Sequence, residues 1–257
     1  MLISVRSPAE VQPALRGGAD IIDAKDPARG ALGAMERVML SRVVELVPPS
    51  TAFSVALGDP PNEEAAAELI ASLPIPARDA PTYVKLGFAG IGNADAVERM
   101  LVAVAAAAGQ HAARPTVIAV VYADDPGGLG LREMLAVANR AAVTGVLVDT
   151  LRKDGGSLLD AVPRHRLDGW IGAARTLRLL VGLAGRLDRP EIARLAHSGA
   201  DVLGVRGAAC DGGRGGSVSA RRVRALHNLL CGAAKEYQEV AKHQSSNAWH
   251  CRLPPRK

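Results

Sequence analysis

The chain has 257 residues, of which 48% are hydrophobic, 22% are charged and only 3% are aromatic, and its formal net charge is +5. The hydrophobic and charged fractions are those of a folded globular protein and exclude disorder over the whole chain. Few aromatic residues, and no block of consecutive Lys and Arg, argue against a nucleic-acid partner. The length matches that of one (β/α)₈ barrel.

Cysteine usage and the N-terminus indicate the compartment. Cys210, Cys231 and Cys251 are scattered and form no C-x-x-C pair, so neither a disulfide framework nor a cysteine metal site is expected. The first residues lack the basic and apolar regions of a signal peptide. The longest apolar run, near residues 100–109, is shorter than the ~20 residues of a membrane span. We therefore expect a cytoplasmic protein with no membrane partner, no metal and no cofactor.

Short apolar or β-branched runs recur along the chain and predict strands. Each run is followed by a loop rich in Gly, Pro or Asp and then by a segment compatible with a helix. Eight strands that alternate with helices predict a single α/β domain, closed as a (β/α)₈ TIM barrel. An open doubly wound sheet is the alternative, but no G-x-G-x-x-G follows the first run. The predicted strands are residues 2–5, 21–25, 52–57, 83–88, 116–122, 145–150, 178–185 and 202–209.

The helical segments set the limits of the predicted domain. We expect the barrel to occupy residues 1–237, and residues 238–257, which lack apolar periodicity, to be a flexible tail. We also expect a homo-oligomer. The predicted helices are residues 8–16, 62–72, 94–108, 131–142, 189–197 and 219–237.

The second predicted strand carries two charged residues on one face. Asp23 and Lys25 alternate with Ile22 and Ala24, so the apolar pair faces the helices and the charged pair points into the barrel. The C-terminal ends of barrel strands are where active sites of this fold lie. The alternative, a surface ion pair, would reverse the hydrophobic pattern of a barrel strand.

Further charged residues converge on the same end of the barrel. Lys85 points inward from the fourth strand, Asp149 ends the sixth, and Lys153 follows in the next loop. A salt bridge between Lys85 and Asp23 is a structural alternative that does not exclude a catalytic role. Crowded ammonium groups lower one another's pKa, and a neutral amine attacks a carbonyl to form a Schiff base. The cluster predicts carbanion chemistry on a phosphorylated aldehyde or ketone.

Two glycine-rich loops follow the last two strands and predict a phosphate site. Loops at these positions commonly bind phosphate in this fold, because glycines bring backbone N–H groups close to the anion and arginines add forked donors. Ordinary barrel turns are the alternative. Cys210 has no histidine close in sequence and is interpreted as a packed thiol. The predicted phosphate-binding residues are Gly185, Arg206, Gly207, Gly212 and Gly213.

The chain resembles the (5-formylfuran-3-yl)methyl phosphate synthase family, also called 4-hydroxymethyl-2-furancarboxaldehyde-phosphate synthases. The resemblance runs in order from the N-terminus to about Leu230, and residues 125–128 look shorter than the corresponding family loop. The residues that carry it are 17–27, 30–34, 83–85, 122–124, 149–150, 153–155, 183–185 and 204–210.

The resemblance implies a barrel of the Schiff-base aldolase type and a lyase. Such an enzyme would convert two molecules of glyceraldehyde 3-phosphate, its phosphorylated triose substrate, into a furan aldehyde phosphate for methanofuran-type cofactor biosynthesis, with loss of phosphate and water. By the same resemblance Lys25 matches the Schiff-base lysine and Lys85 the proton acceptor. Asp23, Asp149 and Lys153 match the residues that support them.

Three other functions remain open from the residues. Orotidine-phosphate decarboxylases use D-x-K-x-x-D on one strand, and Ala28 stands here in place of the last acid. Another class I aldolase for phosphosugars would use the same lysines. A barrel that only binds a phosphosugar would not need three inward lysines, since burying unpaired ammonium groups is costly.

Overall fold

Eight parallel strands form a closed barrel in the computed structural model, which describes residues 1–152 and 154–245. Neighbours in the chain are neighbours in the sheet, and β1 also pairs with β8 to close it. The (β/α)₈ barrel predicted from the sequence is confirmed. The strands are β1 Leu2–Val5, β2 Ile21–Ala24, β3 Ala52–Ala56, β4 Thr82–Leu86, β5 Thr116–Tyr122, β6 Gly145–Asp149, β7 Leu180–Leu183 and β8 Val202–Val205.

Helices cover the outside of the barrel. None of them, within the described ranges, is long and apolar enough to cross a membrane. The six predicted helical segments are present, and α2, α6 and α7 are additional. The helices are α1 Val11–Gly17, α2 Arg37–Leu46, α3 Glu63–Ala71, α4 Ala94–Gln110, α5 Leu131–Arg140, α6 Leu158–Ala161, α7 Arg164–Thr176, α8 Arg189–Leu195 and α9 Ala220–Ser245.

The last helix is longer than the sequence pattern predicts. It continues to Ser245 instead of ending at Tyr237, so the first part of the predicted tail is helical. Residues 238–245 include Glu239, Ala241 and Lys242, which favour helix even without an apolar stripe. The rest of the predicted tail, residues 246–257, lies outside the described residues.

Side chains alternate along each strand between an outer and an inner face. Outward residues such as Ile22, Ala24 and Val84 join the main core between the strands and the helices. A smaller apolar cluster fills the inside of the barrel near β3 to β6, and it includes Val120 and Leu147. The polar residues Asp23 and Lys85 therefore point inward, as the alternation predicts.

In the rest of the barrel interior several inward positions carry small residues, and the described residues line two cavities there. Ser4 on β1, Gly182 on β7, Ala184 directly after β7 and Gly204 on β8 replace the branched side chains that usually fill this space. One cavity of about 340 Å³ opens at the C-terminal ends of the strands, and we call it the upper cavity. A second cavity of about 240 Å³ lies at their N-terminal ends, and we call it the lower cavity.

Candidate active site

The upper cavity brings together most of the residues predicted to carry chemistry. Lys25, Lys85 and Asp149 lie in its wall, while Asp23 is fully buried beneath it. The opposite wall comes from the loops after β7 and β8. The cavity residues used below are Ser4, Lys25, Lys85, Asp149, Gly185, Arg186, Arg206, Gly207, Ala208 and Arg214.

Asp23 and Lys85 form a short ion pair inside the barrel. Lys85 Nζ lies 2.7 Å from Asp23 Oδ1, and both side chains are almost completely buried. Ser4 Oγ donates a hydrogen bond to the other oxygen of Asp23 at 2.8 Å. Burial alone would raise the pKa of the Asp23 carboxyl, but the charges of Lys85 and Lys25 outweigh it and hold the pKa below its ordinary value. Asp23 is therefore an anion that fixes the position of Lys85.

Lys25 follows the last residue of β2 and has a longer ion pair. Its Nζ lies 4.0 Å from Asp149 Oδ2, beyond hydrogen-bonding distance. The other oxygen of Asp149 accepts a hydrogen bond from the backbone N–H of Thr150 at 2.7 Å, which orients the carboxylate. Lys25 is thus held beside an anion in the wall of the cavity.

Lys153 lies outside the described residues, so its predicted role stays a prediction. The loop that leads to it is anchored at the end of the barrel. Asp124 accepts hydrogen bonds from the backbone N–H groups of Leu151 at 2.6 Å and Arg152 at 3.0 Å.

The predicted phosphate-binding glycines divide into two groups. Gly185 and Gly207 line the upper cavity. Gly185 has φ +109°, and a Cβ there would lie 3.0 Å from Thr150 Cγ2, so no other residue fits without strain. Gly212 and Gly213, with φ +83° and +72°, shape the turn after β8 and are not part of the cavity wall.

Arg206 does not present its side chain to the cavity in the predicted way. Its Nε donates to Arg214 O, and its Nη1 donates to Ser4 O and to Glu10 Oε2, both at 2.9 Å. Its Nη2 donates to Glu10 Oε1 and to Gly216 O. These contacts occupy all five N–H donors of the guanidinium, which leaves none for a phosphate. Arg206 instead ties the loop after β8 to Glu10 and to β1.

Two arginines that the sequence analysis did not single out lie in the cavity wall, Arg186 and Arg214. Arg214 Nη2 donates to Pro27 O at 3.2 Å and to Gly30 O at 3.1 Å, which links the loop after β8 to the loop after β2. Burial, together with the charges of Arg206 and Arg186, lowers the pKa of Arg214 against the opposing charge of Asp149. The signal for both was in the sequence, since each adjoins glycines of the predicted phosphate loops.

A tyrosine–aspartate pair borders the other side of the barrel end. The Tyr122 hydroxyl lies 2.9 and 3.1 Å from the two carboxylate oxygens of Asp59, and the Ala89 N–H also donates to Asp59. Burial raises the pKa of Asp59, and Asp149 is among the charges that add to this effect. A Cβ on Gly87 would overlap both Asp59 and the Tyr122 hydroxyl, so only glycine allows this approach.

The donor set of the cavity favours an anionic organic ligand. Its wall holds two lysines, glycine-rich backbone, and the arginines Arg186 and Arg214 in addition to Arg206, whose donors are taken up by the protein. Within residues 1–152 and 154–245, no three His, Cys, Asp or Glu side chains are grouped so that they could hold a metal ion.

Comparison with known proteins agrees with this geometry. The sequence model of the 4-HFC-P synthase family matches residues 1–227. The chain is 36% identical over 236 residues to a (5-formylfuran-3-yl)methyl phosphate synthase of Methanothermobacter thermautotrophicus. The alignment covers 90% of this chain and 98% of that protein. It is 33% identical over 239 residues to the protein of that name from Archaeoglobus fulgidus, with 90% and 99% covered.

The fold is also found among solved structures. The crystal structure of 3-hexulose-6-phosphate synthase from Salmonella typhimurium aligns with a TM-score of 0.56 at 15% identity, and the alignment covers 90% of this chain and 98% of that one. At this identity the likeness supports the barrel alone. The matched family model and the two sequence relatives show that the chain is an enzyme of the 4-HFC-P synthase family.

Proposed function

We propose that the protein condenses two molecules of glyceraldehyde 3-phosphate into (5-formylfuran-3-yl)methyl phosphate, with loss of phosphate and water, through a Schiff base on Lys25. The product would serve the biosynthesis of a methanofuran-type cofactor. The observation that carries this proposal is the pairing of Lys25 with Asp149 and of Lys85 with Asp23 in one cavity whose other wall is cationic. The names of the sequence relatives support the product.

Lys25 is the proposed nucleophile. Its neutral amine adds to the aldehyde carbon of one triose, and loss of the former carbonyl oxygen as water leaves a carbon–nitrogen double bond. The ion pair with Asp149 at 4.0 Å supports this role, because it holds the amine in the wall of the upper cavity. The Asp149 anion then lies next to the positive charge of the iminium.

Lys85 is the proposed base. Once the iminium has formed, the adjacent C–H bond is acidified, and a base near that carbon can take its proton. The short contact to the buried Asp23 carboxylate fixes Lys85 in the wall of the same cavity as Lys25. The resulting enamine is the carbon nucleophile that attacks the second triose.

The phosphate groups are proposed to bind at the loops after β7 and β8. Backbone N–H groups around Gly185 and Gly207 and the side chains of Arg186 and Arg214 supply donors of the right kind. Arg206 and Glu10 would hold the second loop in place from behind. With a phosphate bound at these loops, the aldehyde end of the triose would point toward the lysines.

A product assay tests this function. Purified protein with glyceraldehyde 3-phosphate alone is expected to release inorganic phosphate and a furan aldehyde that absorbs in the ultraviolet, and mass spectrometry identifies the product. An acyclic aldol product would indicate another phosphosugar aldolase. Binding of the triose without turnover would indicate a barrel that only binds a phosphosugar. Either result would refute the proposal.

A further inference from the structure

The lower cavity reaches Lys85 from the side of the barrel opposite to the upper cavity. Lys85 lies in the wall of both cavities. The lower cavity extends to the surface at the N-terminal end of the strands, where Asp201 and Leu180 in its wall are exposed. Leu2 and Leu147 also line both cavities, so Lys85 is the charged residue among the three that lie between them.

The lower cavity exists because inward residues on several strands are small. Ser54 on β3 and Gly182 on β7 line it, at positions where a barrel usually carries branched side chains. A Cβ on Gly182 would lie 2.9 Å from Leu147 Cδ1, so a larger residue at position 182 would collide with that leucine.

A buried polar atom in the wall indicates what the lower cavity holds. Ser54 is fully buried, and its Oγ has no hydrogen-bond partner among the described residues. Buried hydroxyls are almost always hydrogen-bonded to protein or to ordered water. A space of about 240 Å³ is far larger than one water needs. Tyr83, whose pKa is raised by burial and by Asp201, adds a protonated hydroxyl to the same wall.

We infer that the lower cavity is a solvent-exchange route, through which water reaches Lys85 while substrate occupies the upper cavity. The inference rests on the proposed function, in which Lys85 takes a proton from carbon. Lys85, which is the ammonium partner of Asp23, first gives one proton to water in the lower cavity. The substrate C–H bond then breaks, its electron pair enters the enamine, and the proton restores the Lys85 ammonium. The ammonium then exchanges a proton with water in the lower cavity, and no other reactant is consumed.

The packing at the C-terminal end of the barrel supports a water route that is separate from the upper cavity. Ala31 and Leu32, from the loop after β2, are buried and pack on the apolar cluster inside the barrel. That half of the barrel end is closed by apolar side chains, and bound substrate would fill the other half. The lower cavity also connects Lys85 with the surface, at the opposite end of the barrel.

Ser54→Leu tests the route, because the larger apolar side chain fills the lower cavity and removes its unpartnered hydroxyl. Thr82→Val is the matched control, since Thr82 also buries a hydroxyl without a described partner, but on the outer face of β4 and away from both cavities. The reaction is run in D₂O and stopped before completion. Deuterium in the recovered triose is measured per furan product formed.

We expect this exchange-to-turnover ratio to fall about tenfold in Ser54→Leu, as for an exchange barrier higher by about 1.4 kcal/mol. It should fall less in Ser54→Ala, which keeps the space, and stay unchanged in Thr82→Val. If Ser54→Leu does not fold, judged by circular dichroism, Ser54→Val takes its place. An unchanged ratio in the filled variant, or an equal fall in Thr82→Val, would overturn the inference. Failure of the proposed function would look different, because the wild type would then make no furan.

Discussion

The two halves of the barrel's C-terminal end are built from different residues. On the side of β3 to β5, Leu32 and Val120 pack around Tyr122 and close the interior. On the side of β7, β8 and β1, Gly204 and Ser4 leave the upper cavity open. The closed half fixes the reactive groups from one side, and the open half admits an anionic ligand. The difference shows that one barrel can be a packed core and a binding site at the same level of its strands.

Substitution of Lys25, in the wall of the open half, should have the largest effect on turnover. Lys25→Arg keeps the positive charge beside Asp149, but a guanidinium does not lose its proton and cannot form the Schiff base. We expect turnover to be abolished with the fold intact, as measured by the furan assay and circular dichroism. A folded variant with a near-normal rate would show that Lys25 is not the nucleophile.

The next largest effect on turnover is expected for Lys85, which lines the upper cavity and pairs with the buried Asp23. Lys85→Arg keeps a cation for the ion pair but removes the proton acceptor. It should therefore lower kcat by about 10²–10⁴-fold, nearly as much as Lys85→Ala. If Lys85→Arg keeps most of the activity, Lys85 is an electrostatic anchor and another group is the base.

Two arginines of the open half have different expected roles. Arg206 holds a loop in position, and Arg214 binds the substrate. Arg206→Ala leaves the buried Glu10 carboxylate with only the longer ion pair to the exposed Arg6, at 3.6 Å, and removing one partner of a buried pair costs about 3–5 kcal/mol. Arg214→Ala removes a partly buried cation from the cavity wall and should raise KM, with a lost charge-assisted contact of about 1.5–3 kcal/mol. Thermal unfolding and steady-state kinetics of both variants check this. Equal losses of stability in the two would contradict the division of roles.

The closed half is tested by a smaller change. Gly87→Ala places a methyl group against Tyr122 and Asp59, and such overpacking costs about 1–3 kcal/mol. Gly172→Ala is the matched control, since a Cβ there meets nothing and the residue lies within α7. Chemical denaturation should show a destabilised Gly87→Ala and an unchanged or stabilised Gly172→Ala. A neutral Gly87→Ala would show that the closed half is not tightly packed.

Alternation along the strands was enough to predict the barrel and the inward direction of Asp23, Lys25 and Lys85. Period-two patterning is local, so it can be read directly from neighbouring residues. The role of Arg206 could not be read in this way. Its partner Glu10 lies at the other end of the chain, and only closure of β8 onto β1 brings them together.

The Tyr122–Asp59 pair was missed for the same reason. It joins the end of β5 to the loop after β3, and Gly87, directly after β4, makes room for it. Contacts that depend on three separate segments leave no spacing pattern in the sequence. The lower cavity was also invisible, because it depends on which small residues face each other across the closed barrel.

Trapping with borohydride tests the central claim most directly. The protein is incubated with glyceraldehyde 3-phosphate, reduced with sodium borohydride, digested and mapped by mass spectrometry. The account predicts a triose-derived adduct on Lys25 that is absent from Lys25→Arg and absent without borohydride. An adduct on Lys85 or Lys153 in place of Lys25, or furan formation without any lysine adduct, would contradict it.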